Sequence, residues 1–299
     1  MSTNGNARSA LRAKFPARLR RIYRDVRAEL LSIGLPRSAE FTQPRQEIEA
    51  SKDMSVVVAV KDAPAVTRRC LASLQKFAPA AEVIMVDDGS ELEETAAMLA
   101  DFRDRNGWIL VRHPHSMGHS RTCESGARVA TRPYLCLLNS DTLITPWSWW
   151  AAKDAFESDA TIGVSGPSTS FCATEQMLPR AMHCRHYWND SQICAFAERY
   201  LATVQPRSWH DLSEAGGFAF FIRRHLWKLL GGLDPNLPDY GNESELCKRV
   251  LKRGMRIVWT RNSYIHHFGQ QSYGVMGGET INERSRAARN YINEKHRLT

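Results

Sequence analysis

A short apolar run of the chain ends in three polar residues whose oxygen atoms could hold a divalent cation. The run spans 134–138, and Asn139, Ser140 and Asp141 follow it directly. A buried strand that stops here places these side chains at the carboxyl edge of a sheet, where open α/β sheets bind ligands. An Asp at that edge can bind a hard cation, and the cation can bind a diphosphate. The residues therefore indicate chemistry on a phosphorylated ligand.

A second pair of acidic residues, Asp87 and Asp88, follows the apolar run 82–86. Gly89 comes next and permits a tight turn close to a ligand. A carboxylate at this point can accept a hydrogen bond from the base of a nucleotide. The same acids, together with Ser90, also suit the start of a helix, and the two roles are compatible.

The composition is that of an ordinary globular protein, with 43% hydrophobic and 24% charged residues among 299. No window of the sequence approaches the ~20 apolar residues that span a bilayer. The N-terminus is basic and lacks an apolar segment, which argues against a secretory signal. Seven cysteines at irregular spacing indicate reduced thiols, so the expected location is the cytoplasm.

The net charge of +8 is concentrated in the first part of the chain. Between residues 8 and 30, basic side chains alternate with apolar ones at helical spacing, which predicts an amphipathic basic helix. Such a helix could lie on an anionic surface such as the inner face of a membrane, contact nucleic acid, or pack on the main domain. We favour packing on the domain, and we expect 1–53 to be a helical extension with a linker over 31–53.

Predicted strands and helices alternate in the region that begins at residue 54. The predicted order is strand 54–60, a helix from Pro64, strand 82–86, helix 91–106, strand 108–112, helix 121–130 and strand 134–138. This alternation predicts a parallel sheet with helices on both faces.

The regular alternation fades after about residue 160. Residues 164–212 are predicted to form an irregular insertion or long loops. Order then returns as strand 215–222, helix 225–230, helix 243–253, strand 256–260 and a last strand at 264–267. We expect a main domain over 54–273, with a nucleotide-binding half to 160 and an acceptor and catalytic half from 161, and a helical tail over 274–299.

Four blocks of the chain resemble the family 2 glycosyltransferases in their order and spacing. Asn139-Ser140-Asp141 resembles the family's DxD motif with Asn in the first place, a form similar to that of the rhamnosyltransferase-like branch. The blocks are 56–62, 86–90, 138–142, and 231–234 followed by 242–249. The resemblance covers about 54–273 and implies the GT-A fold, with a Rossmann-like, mostly parallel central sheet.

The resemblance implies how a nucleotide-diphosphate sugar would be held. Asp87 and Asp88 correspond to residues that contact the nucleoside, and Val60 and Asp62 belong to the loop that faces the nucleotide. Lys61-Asp62 stands where the family usually has Tyr-Asn. The other residues expected to contact the nucleotide sugar lie beside two further strands and are Asn139, Ser140, Gly216 and Gly217.

Metal and base residues are also implied by the resemblance. Asp141 would bind Mg²⁺ or Mn²⁺, and His266 or His267 would supply a further ligand, with His266 preferred. Adjacent residues of an extended segment point to opposite faces, so only one histidine should reach the metal. Glu243 matches the position of the catalytic base, and Glu245 is the alternative. Two acids that stabilise a helix N-terminus would be the purely structural interpretation.

The function that we predict from the sequence is transfer of one sugar from a nucleotide sugar to an acceptor hydroxyl, with metal dependence and inversion. The expected acceptor is a glycan or a lipid-linked sugar, and a protein or modified DNA is an alternative. An inactive protein that binds sugar nucleotides is a second class. A nucleotidyltransferase is a third, but its glycine-rich phosphate loop does not follow Val60.

Overall fold

A computed structural model describes residues 40–179, 189–269 and 278–297 of the chain. The basic helix predicted within residues 8–30 lies outside these ranges. In the part of the predicted linker that is described, a short helix, α1 (Arg45–Ser51), precedes the first strand.

The first half of the sheet is parallel, as the alternation predicts. Its strands are β1 (Met54–Val60), β2 (Glu82–Asp87), β3 (Ile109–Arg112) and β4 (Tyr134–Asn139). The connecting helices are α2 (Pro64–Phe77), α3 (Glu93–Asn106) and α4 (His119–Val129). β1 lies between β2 and β4 and pairs in parallel with both.

The second half of the sheet is mixed, so the sheet is less parallel than expected, while the α/β architecture is as predicted. Its elements are β5 (Thr142–Ile144), α5 (Trp150–Ser158), β6 (Ile162–Ser168), α6 (Asp190–Leu201), β7 (Trp209–Asp211), β8 (Ala219–Arg223), α7 (Arg224–Leu230), α8 (Asn242–Lys252) and β9 (Arg256–His267). β8 runs antiparallel to both β4 and β6, and β9 runs antiparallel to β5 and β7. The strand order is β3-β2-β1-β4-β8-β6-β9-β5, with β7 paired to β9.

Residues 164–212 are more regular than the sequence predicts, because β6, α6 and β7 lie within or across this stretch. β6 is buried along its whole length, so it lacks the alternation of polar and apolar residues that marks a half-buried strand. Gly163, Gly166 and Pro167 are also uncommon in strands, so the sequence does not predict one here. The two strands expected at 256–260 and 264–267 are one strand, β9.

Two apolar clusters cover the two faces of the sheet. Val56 and Val58 of β1 belong to the cluster under α2, whereas Val57 belongs to the cluster under α4. This division follows from the alternation of side chains along a strand. Gly126 brings α4 close to the sheet, because a Cβ atom there would lie 2.4 Å from a methyl group of Val57.

The sheet places three strand ends side by side. Val60 pairs with Asp87, and Ala59 pairs with Asn139, so the carboxyl ends of β1, β2 and β4 share one edge. The predicted tail contains α9 (Gly278–Arg297), whose Ala288 and Ile292 pack with Leu237 of the segment before α8. Within the described residues, no helix combines the length and apolar character needed to cross a bilayer.

Candidate active site

A cleft of about 710 Å³ opens at the edge of the sheet where β1, β2 and β4 end. Most of the residues predicted to form the site line it, namely Val60, Asp62, Asp88, Asn139, Ser140, Asp141, Gly216, Gly217, Glu243 and His267. Three predicted residues, Asp87, Glu245 and His266, are not among its lining residues. The cleft therefore brings together side chains from both halves of the sheet.

Asp141 and His267 form a close pair inside the cleft. His267 Nε2 lies 3.1 Å from Asp141 Oδ1, and both residues are largely buried. The pairing of β5 with β9 explains this proximity, since Thr142 lies opposite His267 and Asp141 is the preceding residue. The backbone N–H of Phe268 also donates to the Asp141 carbonyl oxygen, at 2.9 Å.

His266, the preferred ligand in the sequence-based prediction, is placed differently. Its side chain is fully buried, and its Nδ1 lies 2.9 Å from the hydroxyl of Tyr264. The alternation of β9 sends the two rings to opposite faces, as predicted, but it is His267 that faces Asp141. The structure thus places His267, and not the preferred His266, beside Asp141.

A hydrogen bond on the far side of the His267 ring makes the Asp141–His267 pair suitable for binding a divalent cation. His267 Nδ1 lies 2.6 Å from the carbonyl oxygen of Phe171, which can only accept, so Nδ1 carries a proton. That contact leaves Nε2, the ring nitrogen beside the carboxylate, as the atom that could bind a cation. A backbone carbonyl that fixes the other ring nitrogen is typical of metal-binding histidines. Over the described ranges, no three His, Cys, Asp or Glu side chains cluster as a complete metal site.

Asp88 organises the loop that forms one side of the cleft. Its carboxylate accepts from the hydroxyl of Ser116 at 2.6 Å and from the backbone N–H groups of Met117 and Gly118 at 2.8 and 3.1 Å. His113 Nδ1 lies 2.8 Å away. Burial alone raises the pKa of Asp88, but the contacts with His113, Ser116 and Met117 outweigh burial and lower it.

Asp87 and Asp62 also shape this side of the cleft through hydrogen bonds to the backbone. Asp87 accepts from the Ser90 N–H at 2.9 Å and faces Arg112 at 3.2 Å. Asp62 accepts from the N–H groups of Glu91 and Leu92, at 3.0 and 2.9 Å, just before α3. These bonds hold the loop before α3, whereas α3 itself begins after Leu92 without a side-chain cap, so the helix-start interpretation of Asp87 and Asp88 is not realised.

Glu243 lies in the first turn of α8 and points into the cleft. Its carboxylate is close to Gly217, where an added Cβ atom would lie 2.3 Å from Oε1. The next residue, Phe218, stacks on the His267 ring with centroids 5.5 Å apart. Gly217 and Phe218 thus link the carboxylate of Glu243 to the Asp141–His267 pair.

Glu245 is placed outside the cleft and has a structural role. It is fully buried and forms ion pairs with Arg249 and Lys295 at 2.6 and 2.7 Å, and His296 Nε2 lies 3.2 Å away. Burial alone would raise the pKa of Glu245, but the hydrogen bonds from Arg249 and Lys295 lower it. This carboxylate joins α8 to α9, and the proposal of Glu245 as an alternative base loses its geometric support.

Several lining residues were not predicted from the sequence. His119 lies 3.4 Å from Glu243, and Asp239, Tyr240 and Arg284 line the cleft near α9. Arg284 and Asp239 form an ion pair at 3.2 Å. No sequence motif marks these positions. They lie on α4, on the loop before α8 and on α9, and they meet only in the folded chain.

The sequence comparisons identify the family of the chain. A family model described as "Glycosyl transferase family 2" matches residues 55–230. The O-antigen biosynthesis protein RfbC of Myxococcus xanthus is 24% identical over 246 residues, which are 77% of this chain and 19% of that protein. The pre-mycofactocin glycosyltransferase of Mycobacterium tuberculosis is 26% identical over 252 residues, 81% of this chain and 48% of that protein. The chain thus spans less than half the length of these relatives.

Solved structures with a similar fold are glycosyltransferases. A mannosyltransferase from Pyrobaculum calidifontis in complex with GDP-Man and Mn²⁺ matches with a TM-score of 0.51 and 16% identity, over 72% of this chain and 56% of that one. GalNAc-T7 with UDP, GalNAc and Mn²⁺ matches with a TM-score of 0.58 and 18% identity, over 81% and 48%. The fold is the GT-A fold, and because the family model covers more than half of its residues, the chain belongs to glycosyl transferase family 2.

Proposed function

We propose that this protein transfers a single sugar from a nucleotide-diphosphate sugar to an acceptor hydroxyl, with inversion at the anomeric carbon and with a divalent cation. The observation that carries this proposal is the shared cleft: a carboxylate–imidazole pair, Asp141 and His267, and a separate carboxylate, Glu243, face the same space. The two groups suit the two needs of the reaction, which are a stabilised leaving group and a base.

The donor would lie along the edge formed by β1, β2 and β4. Val60 and Asp62 border the nucleoside end of the cleft, and the loop that Asp88 organises closes its side. Asn139 and Ser140 lie between this end and Asp141, where they can contact the ribose or the diphosphate. The nucleotides in the complexes of the Pyrobaculum mannosyltransferase and of GalNAc-T7 support a nucleotide donor for this chain.

Asp141 and His267 would hold the cation. Mn²⁺ suits a site that includes a neutral imidazole better than Mg²⁺ does. When bound, the cation supplies positive charge that stabilises the departing diphosphate. Asn139 brings no charge, so the protein's contribution to cation affinity rests on Asp141 and His267.

The chemical step needs a base because a sugar hydroxyl is a poor nucleophile until its proton is removed. Glu243 accepts that proton. The acceptor oxygen forms a bond to the anomeric carbon as the bond from that carbon to the diphosphate oxygen breaks, and nucleoside diphosphate leaves. Attack from the face opposite the diphosphate inverts the anomeric centre.

Aromatic side chains of the cleft favour a sugar as acceptor. Phe171 and Tyr240 are among its lining residues, and aromatic faces pack well against the apolar faces of sugar rings. The similarity to the O-antigen biosynthesis protein also supports a glycan acceptor, free or lipid-linked.

The test is release of nucleoside diphosphate from a panel of nucleotide sugars, with and without candidate glycan acceptors. We expect release from one donor in the presence of Mn²⁺, stimulation by an acceptor, and loss of release on addition of EDTA. Specific binding of a donor without release under any of these conditions would overturn the proposal in favour of an inactive binding protein. Release that EDTA does not affect would overturn the metal dependence.

A further inference from the structure

His119, the first residue of α4, lies against the carboxylate of Glu243. Its Nε2 is 3.4 Å from Glu243 Oε1, and the two side chains are 17% and 14% exposed. Cys123, one turn further along α4, places its Sγ 3.4 Å from the same ring nitrogen. The imidazole thus contacts a thiol on its own helix and a carboxylate on α8.

The start of α4 is held firmly between the donor edge and the start of α8. Asp88 accepts from the Gly118 N–H, and the Ser120 N–H donates to the Pro238 carbonyl oxygen at 2.9 Å. Asn242, the first residue of α8, donates from Nδ2 to the Ser120 hydroxyl at 3.0 Å. Because both helix starts are joined directly, the distance between the imidazole and the carboxylate of the cleft is fixed by the fold.

We propose that His119 is a positioning residue for Glu243: its imidazole forms an ion pair with Oε1 and restricts the rotation of the carboxylate in the cleft. This inference rests on the proposed function, in which Glu243 accepts the proton of the acceptor hydroxyl. A carboxylate with one oxygen held by a donor presents its other oxygen in a defined direction. Positioning of this kind lowers the barrier, because small displacements of a catalytic group are costly.

The charges around the pair are consistent with a protonated imidazole. Burial lowers the pKa of His119, but Cys123 and Glu243 raise it by more, so the pKa lies well above its ordinary value. The other charged side chains that line the cleft near α8 are Glu214, Asp239 and Arg284. Arg284 is paired with Asp239, so among the described residues His119 is the basic side chain that forms an ion pair with Glu243.

Kinetics of His119→Ala and His119→Gln test the inference. We expect kcat for transfer to fall about 10-fold or more in the Ala variant, with unchanged donor affinity, because the base is present but misplaced. The Gln variant carries an amide that can donate to Glu243, and it should recover most of the lost kcat. His115→Ala, which removes an exposed imidazole from the preceding loop, is the matched control and should transfer as the wild type does. Wild-type kcat in the Ala variant, or a Gln variant no better than Ala, would overturn the inference.

A spectroscopic titration separates this inference from the proposed function. Imidazole nitrogen NMR follows the protonation of His119 in the wild type, in Glu243→Gln and in Cys123→Ser, whether or not a donor is known. We expect the imidazole of the Glu243→Gln variant to lose its proton at lower pH than that of the wild type. If only Cys123→Ser changes the titration, the contact with Glu243 is not a significant interaction and the inference fails. If the titration responds to Glu243→Gln but no donor is turned over, it is the proposed function that fails.

Discussion

Gly217 lies so close to Glu243 that a single added methyl group would meet the carboxylate, with Cβ 2.3 Å from Oε1. Gly217 also precedes Phe218, whose ring stacks on His267. The loop that enters β8 therefore contacts both of the groups to which we assign chemistry. The absence of a side chain at position 217 is what allows the carboxylate to occupy its place in the cleft.

Gly217→Ala should displace the Glu243 carboxylate, since the added atom can be accommodated only if that side chain moves. We expect sugar transfer to fall about 10-fold or more, with little change in donor affinity. Steady-state kinetics and calorimetric donor binding measure the two effects. Gly216→Ala is the comparison, because its Cβ would meet Phe218 and Thr174 at 3.2 and 3.3 Å rather than Glu243. Equal losses in both variants would count against a specific contact with the carboxylate.

The two adjacent histidines should behave differently when each is replaced by glutamine. His267→Gln should weaken the cation-dependent binding of nucleoside diphosphate about 10-fold or more, because it removes an imidazole that faces Asp141. His266→Gln keeps a polar group near the Tyr264 hydroxyl and should retain that binding. Titration calorimetry with Mn²⁺ and with EDTA distinguishes the variants. A larger loss from His266→Gln would restore the sequence-based preference.

The stability of the protein should carry a pH dependence that originates at Glu47. This buried carboxylate accepts from the backbone N–H groups of Trp149 and Trp150, at 2.7 and 2.9 Å. Burial raises the pKa of Glu47 to about 7 from 4.5, and the two hydrogen bonds offset only part of that effect. The folded state therefore binds the proton more tightly than the unfolded state, and the associated stability is lost as the pH rises from about 4.5 through 7.

The predicted size of this loss is roughly 3 kcal/mol of unfolding free energy, on the basis of the shift in pKa. Urea unfolding of the wild type and of Glu47→Gln at pH values on both sides of this window measures it. The neutral glutamine lacks the titration, so the variant should gain stability relative to the wild type as the pH rises. A constant difference between the two proteins across the window would show that Glu47 does not titrate there.

The sequence predicts the parallel half of the fold well because each strand is an apolar run that ends in polar residues. The ends of β1, β2 and β4 could be located in this way, and with them Asp88, Asn139 and Asp141. β6 could not, because its glycines, its proline and its complete burial remove the periodicity on which such predictions depend.

The site residues that the sequence could not assign depend on contacts between distant segments. The alternation along β9 shows that His266 and His267 point to opposite faces, but only the pairing of Thr142 with His267 shows which one meets Asp141. His119 carries no motif, and its relation to Glu243 arises from the packing of α4 against the start of α8. Glu245 resembles a catalytic acid in sequence, but in the folded chain Lys295 of α9 forms an ion pair with its carboxylate.

Replacement of Glu243 by glutamine tests the central claim most directly, with Glu245→Gln as the matched control on the same helix. The measurement is sugar transfer with the active donor and saturating acceptor, alongside calorimetric donor binding. We predict that Glu243→Gln binds the donor as the wild type does and loses about 100-fold or more in transfer, because the amide cannot accept the acceptor proton. Glu245→Gln should keep its transfer rate and lose thermal stability instead, because Arg249 and Lys295 lose the charge of their partner. Transfer by Glu243→Gln at the wild-type rate would contradict the account.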